Sequence, residues 1–81
     1  MTSKKLYEAV SRIMNIPLSE INDMSGSQSI GTWDSFNVYV LLNEIETEFN
    51  VRFTLDESMD IKNVGDFKRH LKNHGVILDD S

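Results

Sequence analysis

Three groups of residues in this chain have the types and spacing to do chemistry. Asp56, Ser58 and Asp60 alternate as the start of a calcium loop does. Such a loop needs Gly at its sixth position and a bidentate Glu at its twelfth, and here those positions hold Ile61 and Phe67. His70 and His74 stand four apart and could share a zinc ion on one helix face. No Cys or carboxylate completes that set and no His-Glu pair is present, so no metal site is expected. Imidazoles near a helix C-terminus are sufficient explanation. The third group is Asp34-Ser35-Phe36. Taken alone, Ser35 reads as an ordinary first-turn serine and Asp34 as a cap. No Ser-His-acid spacing supports a hydrolase, and the chain is too short to build a deep pocket, so an enzyme is not expected.

The elements that must position these residues follow from hydrophobic periodicity. Leu6, Ala9, Val10 and Ile13 make one apolar stripe and predict a helix over 3–15, ended by Pro17. A long connection over 16–33 contains the loop segment Ser25-Gly26-Ser27-Gln28-Ser29, with Ile16, Leu18, Ile21 and Ile30 as apolar anchors. A second helix is predicted from Asp34 or Ser35 to about Asn50. Asp34 suits its N-cap, and Trp33 and Val38 occupy the positions of a hydrophobic staple. A brief turn or short third helix is predicted over 56–60. Asn63 caps a last helix over 64–73, with Val64, Phe67 and Leu71 inward and Gly75 as its stop. The expected fold is an all-α bundle of three main helices plus a short third helix. One domain would span 1–78, with 79–81 a frayed tail.

The second helix carries more apolar surface than one face needs. Val38, Leu41, Leu42, Ile45 and Phe49 form one stripe and are expected in the core. Phe36, Val40, Asn43 and Thr47 point the other way, flanked by Tyr39 and Glu46 on one side and Glu44 on the other. Two large apolar residues left in water invite a partner, unless the 16–33 loop folds over them.

Charge narrows the partners. The 81 residues carry a net charge of −5, and no Lys or Arg lies between Ile13 and Val51. That stretch holds Glu20, Asp23, Asp34, Glu44, Glu46 and Glu48. A negative middle argues against nucleic acid and favours partners with basic patches. There is no Cys, so neither disulfides nor thiolate metal sites are available. No apolar run is long enough to insert in a membrane. Met1-Thr2-Ser3-Lys4-Lys5 lacks the apolar core of a signal peptide, so a cytoplasmic location is expected. The protein is also expected to be a monomer.

The chain resembles the acyl carrier protein family. The likeness rests on Asp34-Ser35-Phe36 at the start of an acidic amphipathic helix and on the close Glu46-Thr47-Glu48-Phe49-Asn50-Val51. Ile61-Lys62-Asn63-Val64-Gly65-Asp66-Phe67 resembles the family's approach to its last helix. The likeness covers nearly the whole chain, in the family's order and spacing. The resemblance implies that Ser35 is esterified by 4'-phosphopantetheine, whose thiol then holds an acyl or aminoacyl group as a thioester. It implies that Asp34 caps the helix and helps orient the modifying enzyme's magnesium and phosphate. The implied partners are a phosphopantetheinyl transferase and an acyl- or aminoacyl-activating ligase, synthase or transferase with a basic patch. Phe36, Tyr39, Val40, Asn43, Glu44 and Glu46 are the expected docking surface. Two departures stand out: Phe36 replaces the commoner Leu, and Val40 stands where many members carry an acid. Trp33 before Asp34-Ser35 looks like stand-alone carriers of dedicated pathways, including some aminoacyl carriers. An unmodified helical module docking through Phe36 and Val40 is the alternative.

Overall fold

A computed structural model describes residues 3–78, and the expected frayed tail at 79–81 lies outside them. Four helices follow one another: α1 (Ser3–Met14), α2 (Ser35–Phe49), α3 (Leu55–Asp60) and α4 (Val64–Asn73). No strand occurs among the described residues, and the fold is the expected all-α bundle. None of these helices is long and apolar enough to cross a membrane.

Three helices end by the same device. Asn15, Asn50 and Gly75 take left-handed backbone (φ of 58°, 55° and 86°). The next N–H then reaches back five residues: Ile16 to the Ser11 carbonyl, Val51 to Glu46 and Val76 to Leu71, at 3.0–3.1 Å. This closure satisfies carbonyls that the helix end would leave orphaned. It also corrects the expectation for α1. Asn15 stops that helix one residue early, before Pro17 acts. Pro17 instead leads into a 3₁₀ turn at Leu18–Glu20.

The core is filled by α1 (Leu6, Ala9, Val10, Met14), α2 (Leu41, Ile45, Phe49) and α4 (Val64, Phe67, Leu71). Ile21, Ile30 and Trp33 from the long loop, with Ile61 and Leu78, complete it. Trp33 and Phe53 both meet the Phe67 ring edge-on, at 6.3 and 6.2 Å between centroids. Two sequence expectations need correction. Ile13 is half-buried, and Met14 takes the buried place at that end of α1. Val38 and Leu42 were expected in the core with Leu41 and Ile45, but they are half-buried too. Their side of α2 faces α3, and α3 buries no residue of its own, so nothing seals them.

The loop before α2 is held in place by α1 and the start of α4. Ser27 N–H donates to the Lys62 carbonyl at 2.9 Å, Val64 N–H to Ser25 at 2.9 Å and Gly65 N–H to Asp23 at 2.8 Å. Gly26 makes this approach possible: a Cβ there would stand 2.1 Å from the Lys62 carbonyl oxygen, inside the contact distance of any two atoms. Behind it, Tyr7 Oη donates to Asp23 Oδ1 at 2.6 Å and Lys68 Nζ donates to Tyr7 Oη at 2.7 Å. Burial lowers the Lys68 pKa, but its bonds to Asp23 and Tyr7 outweigh that and hold it above the ordinary value. Lys68, then Tyr7, hold the Asp23 carboxyl below its ordinary value. The cluster ties α1, the loop and α4 together.

Candidate functional site

Asp34 caps α2 as its sequence position predicts. Its backbone is extended, and its Oδ1 accepts the Asn37 N–H at 2.8 Å. Asn37 Nδ2 reaches back to the Thr32 carbonyl at 2.9 Å, and Thr32 Oγ1 donates to the Met14 carbonyl at 2.7 Å. Trp33, buried in the core, anchors the residue before the cap. The start of α2 is thus fixed from both sides. The cap satisfies the Asn37 N–H, and the first N–H groups of the turn, on Ser35 and Phe36, have no carbonyl a turn earlier to bond to.

Ser35 is the first residue of α2 and is exposed. Of the other described serines, Ser19 and Ser27 are also exposed, in the long loop before α2, and the rest are buried or hydrogen-bonded. Ser3 and Ser25 are buried. Ser11 donates to the Ile16 carbonyl at 2.5 Å and Ser58 to the Leu55 carbonyl at 2.7 Å. Ser29 accepts the Gly26 N–H at 3.1 Å. Ser35 opens a main helix and lines a groove. That groove, of about 520 Å³, runs between α2 and α3. Val38, Leu42 and Ile61 supply apolar lining, with Trp33 and Met59 beside them and Ser27, Tyr39, Ser58 and Lys62 around them.

Phe36, Tyr39, Val40 and Asn43 are exposed as expected, Phe36 at 73% and Val40 at 37%. The 16–33 loop turns toward α1 and α4 and does not cover them. Glu44 and Glu46 depart from expectation. Both are half-buried. Arg12 grips Glu44 with both guanidinium branches, which draws the carboxylate onto α1. Glu46 Oε2 accepts the Phe53 N–H at 2.8 Å and so orders the link from α2 to α3. Glu48 pairs with Lys5 at 2.8 Å. The α2 carboxylates are therefore fastened inward, and the surface beside Ser35 is more apolar than its composition implies.

Sequence reasoning missed the contribution of α3. Leu55 and Met59 are exposed on it, and Met59 lines the groove with Ser35. The signal was present: Leu55 and Met59 are four apart, and Thr54-x-x-Glu57 spells a capping box. Both halves of that box form, with Thr54 Oγ1 accepting from Glu57 N–H at 3.1 Å and Glu57 Oε1 from Thr54 N–H at 2.8 Å. The two histidines prove to be links between α3 and α4. His70 Nε2 lies 2.9 Å from Asp60 Oδ2, and His74 Nε2 lies 2.8 Å from Glu57 Oε2. Among the described residues no cluster of three or more His, Asp or Glu could hold a metal ion.

The sequence profile of a family described as "phosphopantetheine attachment site" matches residues 4–71. No curated protein matched the chain. A match over that span, joined to the helical bundle and the exposed serine at the start of α2, shows that the chain belongs to the phosphopantetheine-attachment family, whose domains carry 4'-phosphopantetheine covalently on a serine and are carriers, not enzymes.

Proposed function

We propose that Ser35 is the serine that bears the arm, and that the chain holds an acyl or aminoacyl intermediate there as a thioester for partner enzymes. One observation supports this above the others. Ser35 is exposed at the first turn of a capped helix and lines an apolar groove within the segment the family profile covers.

The residues present fit the group. A phosphodiester on Ser35 would meet free N–H groups and the positive end of the α2 dipole. The arm supplies the thiol that this cysteine-free chain lacks. Asp34 holds the first turn, so Ser35 is offered in one orientation to the modifying enzyme. Its exposed carboxylate would stand where that enzyme's magnesium and phosphate meet. Phe36, Tyr39 and Val40 would supply contact energy to a docking enzyme, as apolar anchors do elsewhere. Glu44 and Glu46 would support that surface through α1 and the α2–α3 link. The partners would be a phosphopantetheinyl transferase, then a ligase, synthase or transferase that acts on the loaded arm.

Intact mass after incubation with coenzyme A and a broad-specificity phosphopantetheinyl transferase tests the assignment. Wild type should gain one arm and Ser35→Ala none, with unchanged helical circular dichroism. A gain that persists in Ser35→Ala would move the site to another residue. No gain in wild type would leave α2 as a purely non-covalent docking surface.

A further inference from the structure

The groove at Ser35 does not end beside it. A second groove of about 290 Å³ shares Tyr39, Leu42 and Ser58 with the first and continues to Arg52 at the far end of α2. Ser35 and Glu46, which lines the far groove, are eleven residues apart on α2, about 16 Å at the helical rise. A phosphopantetheine arm has about as many backbone bonds as five residues, which extend to about 17 Å. The two lengths agree.

The charges along this channel are distributed unevenly. Lys5, Arg12, Lys68 and Arg69 are all ion-paired to carboxylates. Lys62 and Arg52 form no ion pair among the described residues, nor do Lys4 and Lys72, which are not part of the channel; Lys62 and Arg52 line its two ends. The Lys62 backbone is fixed, its N–H donating to Asp66 Oδ2 at 2.9 Å and its carbonyl accepting from Ser27. Glu46 stands with Arg52 at the far end, but one of its oxygens is already committed to the Phe53 N–H.

We propose that Arg52 selects the cargo, favouring an acyl or aminoacyl group that bears a free carboxylate. The proposal rests on Ser35 as the attachment point. The arm lies along the channel, its phosphodiester toward Lys62 and its thioester-borne group toward Arg52. A guanidinium offers two parallel donors that match a carboxylate, which a neutral isostere cannot use.

Two stable amide-linked pantetheine analogues test this, one ending in a succinyl group and one in a neutral butyryl group, in which a methyl replaces the carboxylate. Each is loaded by the transferase and loading is verified by intact mass. Both should shift the amide resonances of Tyr39, Leu42 and Ser58. Only the succinyl form should shift those of Arg52, Phe53 and Thr54. Its Tm should exceed that of the butyryl form by about 2–4 °C, the scale of one surface ion pair in a domain of this size. Arg52→Gln should abolish that difference and Arg52→Lys retain part of it. Equal spectra and equal Tm for the two loaded forms would overturn the role of Arg52 and leave Ser35 standing. A difference that survives Arg52→Gln would do the same. Failure to load at all would overturn both readings.

Discussion

Helices α3 and α4 are neighbours in sequence and are fastened by different forces. α4 buries Val64, Phe67 and Leu71 completely. α3 buries nothing and presents Leu55 and Met59 to solvent. Its ties to α4 are polar: Asp60 to Arg69 and His70, and Glu57 to His74. Apolar burial is non-directional and strong, whereas exposed ion pairs are weak and screened by salt. The Ser35 groove runs between α2, anchored in the core by Leu41, Ile45 and Phe49, and this lightly held α3. A carrier that must accept an arm and release it to an enzyme has use for that asymmetry, since segments with few buried contacts open at low cost.

The comparison can be broken most directly at Phe67. Phe67→Ala removes a fully buried ring that meets both Trp33 and Phe53, and should cost about 3–5 kcal/mol. In a domain whose whole stability is of that order, urea denaturation should show a largely unfolded protein. A midpoint near wild type would mean that the core does not depend on α4. Next in size is a contrast within α2. Leu41→Ala should cost about 2–5 kcal/mol. Leu42→Ala should cost clearly less, because Leu42 is only half-buried at the α3 side. Equal losses in chemical denaturation would show that α3 seals that side after all.

Acid should act on α3 before it acts on the core. The Asp60 carboxyl is held below its ordinary value by Arg69 first and then His70. Glu57 is held low by the Thr54 backbone N–H first, with His74 adding to it. A carboxylate with a depressed folded pKa contributes stability that is present above its unfolded value and lost as pH falls through the folded one. Protection factors of the α3 amides, taken against the intrinsic exchange rate at each pH, should therefore fall below about pH 4, the unfolded carboxylate range, while the buried amides of α1 and α4 stay protected. Asp60→Asn should flatten this dependence. Simultaneous loss of protection in all four helices would show that α3 is not a separate unit. The smallest effect on stability is expected at Phe36. Phe36→Ala should change it by no more than about 0.5 kcal/mol, as surface substitutions do. It should still weaken binding to the transferase, measurable as a raised KM.

Local chemistry made much of this fold legible. The N-caps at Asp34 and Asn63 are side chains acting on N–H groups three residues away, and they form as their positions predict. The inward faces of α1 and α4 follow from helical spacing. So does the exposure of Ser35, Phe36 and Val40, because a helix that presents Leu41, Ile45 and Phe49 to the core must turn those residues out. What the sequence left undetermined depends on neighbours that arrive from far along the chain. Glu44 is a steering charge on a helical wheel and a clamp in the fold, because α1 delivers Arg12 to it across 32 positions. Val38 and Leu42 belong to the core by period, yet the periodic stripe carries no information about whether the facing element is a full helix or the short α3. The groove from Ser35 to Arg52 has the same origin. It is the gap left where α3 is too short and too polar to close over α2, and only the packing of the two elements reveals it.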